Sequence, residues 1–210
     1  MTNQLDRKIA VVLSGCGHTD GTEITEAISV LIAITEMGAS YVCFAPEGGV
    51  GDSTPLEMSK RIARGQVQPL SKLKTSDFDG LVFPGGSGAA KRLSDFAERG
   101  ARATAIPEVT RMIAEFHAQS KPIGAICIAP VLIALTLGKL SVELTVGENG
   151  ETAAEIAKTG AQHTVCPVTD YISDRDNKVL STPAYMYDKA SSFEVFTGIR
   201  KMIRELVEMA

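Results

Sequence analysis

Histidine is scarce in this chain, and cysteine is scattered. The three histidines, His18, His117 and His163, form no HxxxH pair and have no neighbouring cysteine, which argues against a zinc site; no metal is expected. The four cysteines, Cys16, Cys43, Cys127 and Cys166, form no CxxC pair. The stretch from Met1 to Arg7 is polar and lacks the apolar centre of a secretory signal. Together these predict free thiols in a reducing, cytoplasmic setting. No apolar run reaches bilayer length: the longest, Ala125 to Leu135, is interrupted by Pro130, so no membrane association is expected. A basic stripe is also missing, and the net charge is -4. That excludes nucleic-acid backbone and anionic membrane as natural partners.

What is there fits one soluble globular domain over residues 1–210, with 44% apolar and 22% charged residues. Short β-type runs alternate with helical patterns, the sign of an α/β fold with a doubly wound, mostly parallel sheet. Strands are expected at Lys8 to Leu13, Tyr41 to Ala45, Leu81 to Phe83, Pro122 to Ile126, Val142 to Val146, Val165 to Ile172 and Val179 to Thr182. The last two flank a turn at Ser173 to Asn177. Asp20 and Glu23 form a D-x-x-E helix start, and the helix that follows places Ile24, Ile28, Leu31 and Ile32 on one face. Further helices are expected at Leu56 to Ala63, from Pro107 to about Gln119, at Ala129 to Leu137 and at Glu151 to Thr159. A C-terminal helix carries Val195, Phe196, Ile199, Met202, Ile203 and Leu206. Pro46 to Pro55 reads as a surface loop.

Three features carry chemistry. Gly124-Ala125-Ile126-Cys127-Ile128-Ala129-Pro130 runs from strand into helix, the place of a nucleophile elbow, and the helix start behind it predicts a depressed thiol pKa. The alternative is a small buried core cysteine. Pro84-Gly85-Gly86-Ser87-Gly88 directly follows a strand. The amides of Gly86 and Ser87, with that of Ile128, are candidates for an oxyanion hole. It lacks the Gly-Lys-Ser/Thr ending of a phosphate loop. Glu23 and Glu26 share one helix face at the same sheet edge. Apolar residues after Glu26 predict a desolvated carboxyl with a raised pKa, whereas Glu23 reads as a cap. Cys16, His18 and His163 are possible pocket residues, each with a purely structural alternative.

Taken together, these segments resemble the PfpI-like, class I glutamine amidotransferase-like superfamily, and within it the ElbB-like glyoxalase branch. The resemblance runs through Leu13-Ser14-Gly15-Cys16-Gly17, Asp20-Gly21-Thr22-Glu23-Ile24, Cys43-Phe44-Ala45-Pro46, Arg61-Ile62-Ala63-Arg64-Gly65, Phe83-Pro84-Gly85-Gly86, Cys127-Ile128-Ala129-Pro130 and Thr182-Pro183-Ala184-Tyr185-Met186. It implies a flavodoxin-like fold, a homodimer, Cys127 as nucleophile and Glu26 beside it. It also implies a weak, cofactor-independent conversion of glyoxal, or a similar small α-oxoaldehyde, to a hydroxy acid; protein deglycation is the other account of such activity. The chain departs from the superfamily where many members carry a catalytic histidine after the cysteine: here Ile128 stands. Ser87 occupies a position where ElbB-like sequences tend to carry Phe. Two rival readings follow, a redox-sensing or binding protein with a reactive cysteine, and a thiol hydrolase or amidotransferase-like subunit.

Overall fold

A computed structural model describes residues 6–48 and 54–210. Residues 1–5 of the polar N-terminal stretch, and 49–53 of the loop expected over Pro46 to Pro55, lie outside the described residues. In chain order the elements are β1 (Lys8–Val12), α1 (Ile24–Glu36), β2 (Ser40–Ala45), α2 (Pro55–Ser59), β3 (Val67–Pro69), β4 (Gly80–Phe83), α3 (Gly88–Lys91), α4 (Phe96–Arg99), α5 (Pro107–Ala118), β5 (Ile123–Ile126), α6 (Pro130–Leu137), β6 (Glu143–Leu144), α7 (Glu151–Lys158), β7 (Gln162–His163), β8 (Ile172–Asp174), β9 (Val179–Thr182) and α8 (Ser192–Met209). Seven strands form one sheet in the order β3-β2-β1-β4-β5-β9-β8, parallel except for β8. This is a single-domain, flavodoxin-like α/β fold. Strands β6 and β7 pair separately as a short parallel ribbon.

The strand sequences show why both faces are covered. Successive side chains point to opposite faces, so a strand buried on both sides reads as a continuous apolar run. In β1, Ala10 and Val12 join the cluster under α5 and α6, while Ile9 and Val11 join the cluster under α1 and α8. Gly124 sits on the second face because α8 lies close to it: a Cβ there would stand 2.7 Å from a methyl of Leu206. Helix α8 begins with a capping box, Ser191 and Glu194 exchanging hydrogen bonds with each other's backbone. It buries Val195, Ile199, Met202, Ile203 and Leu206.

Three expectations need correction. The predicted inner face of α1 is largely its outer face: Ile24, Ile28 and Ile32 are 48%, 37% and 50% exposed, and only Leu31 of the predicted set is buried. The helix instead buries Ala27, Val30, Ala33 and Ile34, smaller on average, which let it sit tightly against sheet and α8. Its N-cap is Glu23, whose carboxylate accepts the Glu26 N–H at 2.7 Å, while Asp20 pairs with Arg92 at 2.8 Å. The strand expected over Val165 to Ile172 dissolves into a turn, with Asp170 N–H donating to Pro167 O. Pro167 has no N–H for a ladder, and only Ile172–Asp174 pairs, antiparallel to β9. The helix expected from Leu56 to Ala63 is α-helical only over Pro55–Ser59 and continues as turns.

The sheet order fixes where a ligand site belongs. From β1 the chain winds outward through β2 and β3, then returns to place β4 on the other flank of β1. The loops after β1 and β4 therefore diverge at their carboxyl ends and leave a crevice, the usual ligand position in open α/β sheets.

Candidate active site

Four segments converge at that crevice: the loop after β1 leading into α1, the glycine loop after β4, the elbow after β5 and the turn after β9. Cys127 extends the β5–β9 ladder by one bond, its N–H donating to Thr182 O at 2.9 Å. It then turns left-handed, with φ +60°. For a non-glycine residue that is a costly conformation, held only where surrounding contacts over-determine it. The turn lifts the side chain off the sheet edge, leaving the residue 8% exposed.

Glu26 reaches the same point from the first turn of α1 and is fully buried. One carboxyl oxygen, Oε2, accepts the Gly85 N–H at 2.9 Å, and the other, Oε1, accepts the Tyr185 N–H at 3.3 Å. In return Gly85 O accepts the Glu23 N–H at 3.0 Å, so the glycine loop and the helix start brace each other. Gly85 has to be glycine: a Cβ there would lie 2.5 Å from both Cys127 Cβ and Glu26 Oε2. The Cys127 side chain and the Glu26 carboxyl lie together beneath Gly85, Cys127 Cβ and Glu26 Oε2 each 2.5 Å from where a Gly85 Cβ would stand.

Burial dominates the electrostatics of this pair. Desolvation, reinforced by the Glu23 charge, pushes the Glu26 carboxyl up to about 8 despite its backbone donors. At neutral pH it holds a proton, as its setting in the sequence suggests. The thiol behaves otherwise than expected. Burial first, then the adjacent Glu26, push Cys127 well above the ordinary cysteine range. The neighbouring Gly86 and Ile128 amides oppose that rise, but they do not overcome the loss of water. The resting site is thus a neutral carboxyl against a neutral thiol, with the Gly86 and Ile128 amides beside the sulfur.

The remaining candidates divide. Gly86 and Ile128 supply their amides to the centre. Ser87 does not: its N–H donates to His18 O at 2.8 Å, so it is removed from the amide pair, although Ser87 still lines the cleft. Glu23 and His18 also line it, Glu23 while capping α1. Cys16 is half-buried against the apolar cluster below α1 and is not among the lining residues. His163 lies away from the cleft, on the β6–β7 ribbon. Both its ring nitrogens are buried without a hydrogen-bond partner, and burial pushes its pKa below the ordinary histidine value.

Two contributions went unread in the sequence. The Tyr185 amide, from the turn after β9, is one; its segment is conspicuous only as Thr182-Pro183-Ala184-Tyr185-Met186. The other is the far wall of the cleft, built by α4 and the residues after it with α7 opposite. These make the opening about 1140 Å³, with Arg99, Arg102 and Glu155 among its lining residues.

An open α/β sheet with a strained cysteine elbow and a buried glutamate at its switch point defines a class of proteins, and comparisons identify which. The DJ-1/PfpI family model matches residues 8–146, and the chain belongs to that family. A human relative, glutamine amidotransferase-like class 1 domain-containing protein 3, mitochondrial, is 40% identical over 96% of this chain and 83% of its own length. The crystal structure of an isoprenoid biosynthesis protein with an amidotransferase-like domain from Ehrlichia chaffeensis superposes with a TM-score of 0.87. It is 36% identical, and the match covers 97% of this chain and 99% of that one. Glyoxalase III from Candida albicans shares the fold at a TM-score of 0.66, with 12% identity and 97% of each chain covered. No described helix is long and apolar enough to cross a membrane.

Proposed function

We propose that this chain is a cofactor-independent, glyoxalase-like enzyme that converts a small α-oxoaldehyde to a hydroxy acid through Cys127 and Glu26. The observation that carries the reading is the buried thiol and carboxyl packed together beneath Gly85, with Cys127 lining an open cleft. Because both partners are neutral at rest, attack couples to proton transfer. As sulfur bonds to the aldehyde carbon, the Glu26 carboxyl takes the thiol proton on one oxygen and releases its own toward the carbonyl oxygen. The Gly86 and Ile128 amides, no longer needed by the sulfur, steady the oxygen as charge develops on it. The carboxyl then gives its remaining proton to solvent across the open cleft; ionised, Glu26 takes the C–H proton of the hemithioacetal and returns the same proton to the neighbouring carbon through an enediol. The product of that step is a hydroxyacyl thioester on Cys127. Water cleaves it, giving the hydroxy acid and the free thiol. For glyoxal the balance is one dialdehyde plus one water to one glycolic acid.

Support by analogy comes from the Candida protein named a glyoxalase III, which shows only that the fold accommodates such chemistry. The redox-sensing reading gains nothing from a thiol pushed upward, since oxidation follows thiolate character. The hydrolase reading lacks a histidine touching the sulfur. A homodimer belongs to the proposal, supported by the apolar stripe Ile24, Ile28 and Ile32 on α1. Four free cysteines support a reducing compartment such as the cytoplasm; the human relative's name places that protein in mitochondria.

The test follows glyoxal loss and glycolate formation in Cys127→Ala and Glu26→Gln. Cys127→Ala is expected to abolish turnover, and Glu26→Gln to reduce it by on the order of 100-fold. Parental turnover in both variants overturns the assignment.

A further inference from the structure

Six non-glycine residues among those described have positive φ. Arg64, Ser120 and Ser141 are exposed and Lys178 is half-buried, all in surface turns. Only Cys127 and Ala184 are buried, at φ +60° and +44°. These two end adjacent parallel strands, β5 and β9, whose last paired residues are Ile126 and Thr182. Both strained turns therefore stand side by side on one sheet edge, and Glu26 lies between their products. Cys127 presents its sulfur, and the turn at Ala184 rotates the next peptide so that Tyr185 N–H meets Oε1. The same turn is closed by Met186 N–H on Pro183 O and Tyr187 N–H on Ala184 O. The Tyr185 hydroxyl, 3.0 Å from Ser192 Oγ, ties it to the start of α8. A buried non-glycine outlier of this kind persists where its neighbours enforce it, and such outliers gather at functional sites.

We infer that the left-handed turn at Ala184 is a positioning device for Glu26: it delivers the Tyr185 amide to Oε1 while Gly85 holds Oε2, and so fixes the carboxyl's orientation toward the Cys127 sulfur. Ala184 and Tyr185 are positioning residues, touching no substrate in this role. With one in-plane position of each oxygen taken by a backbone donor, the carboxyl has little freedom to rotate, and its remaining direction is the thiol. The inference rests on the proposed use of Glu26, but its test does not require turnover.

The experiment follows the Gly85 and Tyr185 amide protons of ¹⁵N-labelled protein by NMR from about pH 6 to pH 10. Both are expected to move with a single midpoint, that of Glu26, near 8, and neither to do so in Glu26→Gln. Ala184→Gly, which holds a left-handed φ without strain, should keep the midpoint. Ala184→Val, which resists φ > 0, should move the Gly85 midpoint upward by roughly half a pH unit or more, because a carboxylate that loses a donor is harder to form. A Tyr185 amide that stays still while Gly85 titrates overturns the inference, as does a folded Ala184→Val with the parental midpoint. If Ala184→Val fails to fold, the titration of the unaltered protein decides alone. Absent glyoxal turnover with both amides titrating defeats the proposed activity and leaves the positioning role standing.

Discussion

Glu26 sets the pH behaviour of the molecule through two opposed effects. Unfolded, its carboxyl gives up a proton near 4.5; folded, it keeps that proton to about 8. Between those values the folded state binds the extra proton, so stability falls as pH rises through the window and levels off above about 8. The slope approaches 1.4 kcal/mol per pH unit. Glu26→Gln should therefore flatten the dependence. At pH 8 it should be more stable than the parent by on the order of 2 kcal/mol, less than the full linkage because the amide NH₂ confronts one of the two backbone donors. Urea denaturation at pH 6 and pH 8 measures this. Turnover runs the other way: C–H abstraction needs the ionised carboxyl, so kcat/KM should rise about tenfold per pH unit below 8 and then flatten. His163 contributes with the opposite sign on the acid side. Its ring nitrogens are buried without a partner, and burial holds its folded pKa below the ordinary value of 6.5 at which the unfolded ring takes a proton. Its contribution to stability is lost as pH falls below that value and offsets part of the gain from Glu26, so in His163→Leu the melting temperature should rise more steeply than in the parent as pH falls from about 6.5 to 5.

Among the elements, the glycine loop after β4 and the first turn of α1 act as one unit. Gly85→Ala drives a methyl into Cys127 Cβ and Glu26 Oε2 and should destabilise the fold by about 1–3 kcal/mol. It should also lower the rate of Cys127 turnover more than that loss of folded protein explains, a split seen by comparing melting temperature with kcat. Much of this was legible beforehand. Lys8–Val12, Gly80–Phe83 and Ile123–Ile126 lie in a fully covered sheet and show as largely apolar runs, and Pro107 announces its helix. What was hidden depended on tertiary contact. The inward side of α1 is set by how closely its alanines approach α8, which left Ile24, Ile28 and Ile32 outside. The Ser87 amide was lost to the His18 carbonyl, far away in the chain. The depressed thiol inferred from the helix start at Pro130 gave way to burial, which no local spacing reveals. Tyr185 acts through its backbone, so its side-chain identity gave no signal.

For the whole molecule, the sheet has apolar clusters on both faces, and the clefted edge lies where α1, α5, α6 and α8 leave the strand ends uncovered. The exposed isoleucines of α1 belong to the proposed homodimer. Ile28→Asp should convert a dimer to a monomer in light scattering after size exclusion, while leaving the monomer's melting temperature near that of the parent. The sheet's borders bear on how such a dimer is built. One border is β3, three residues long and ending at Pro69; the other is β8, also three residues, running against its neighbours. Short flanking strands, one closed by an imino acid, offer a second chain almost no run of free backbone groups to zip onto. The borders of this sheet therefore disfavour a dimer that continues the β-ladder from one subunit into the next, and the proposed dimer is one of side chain on side chain through α1.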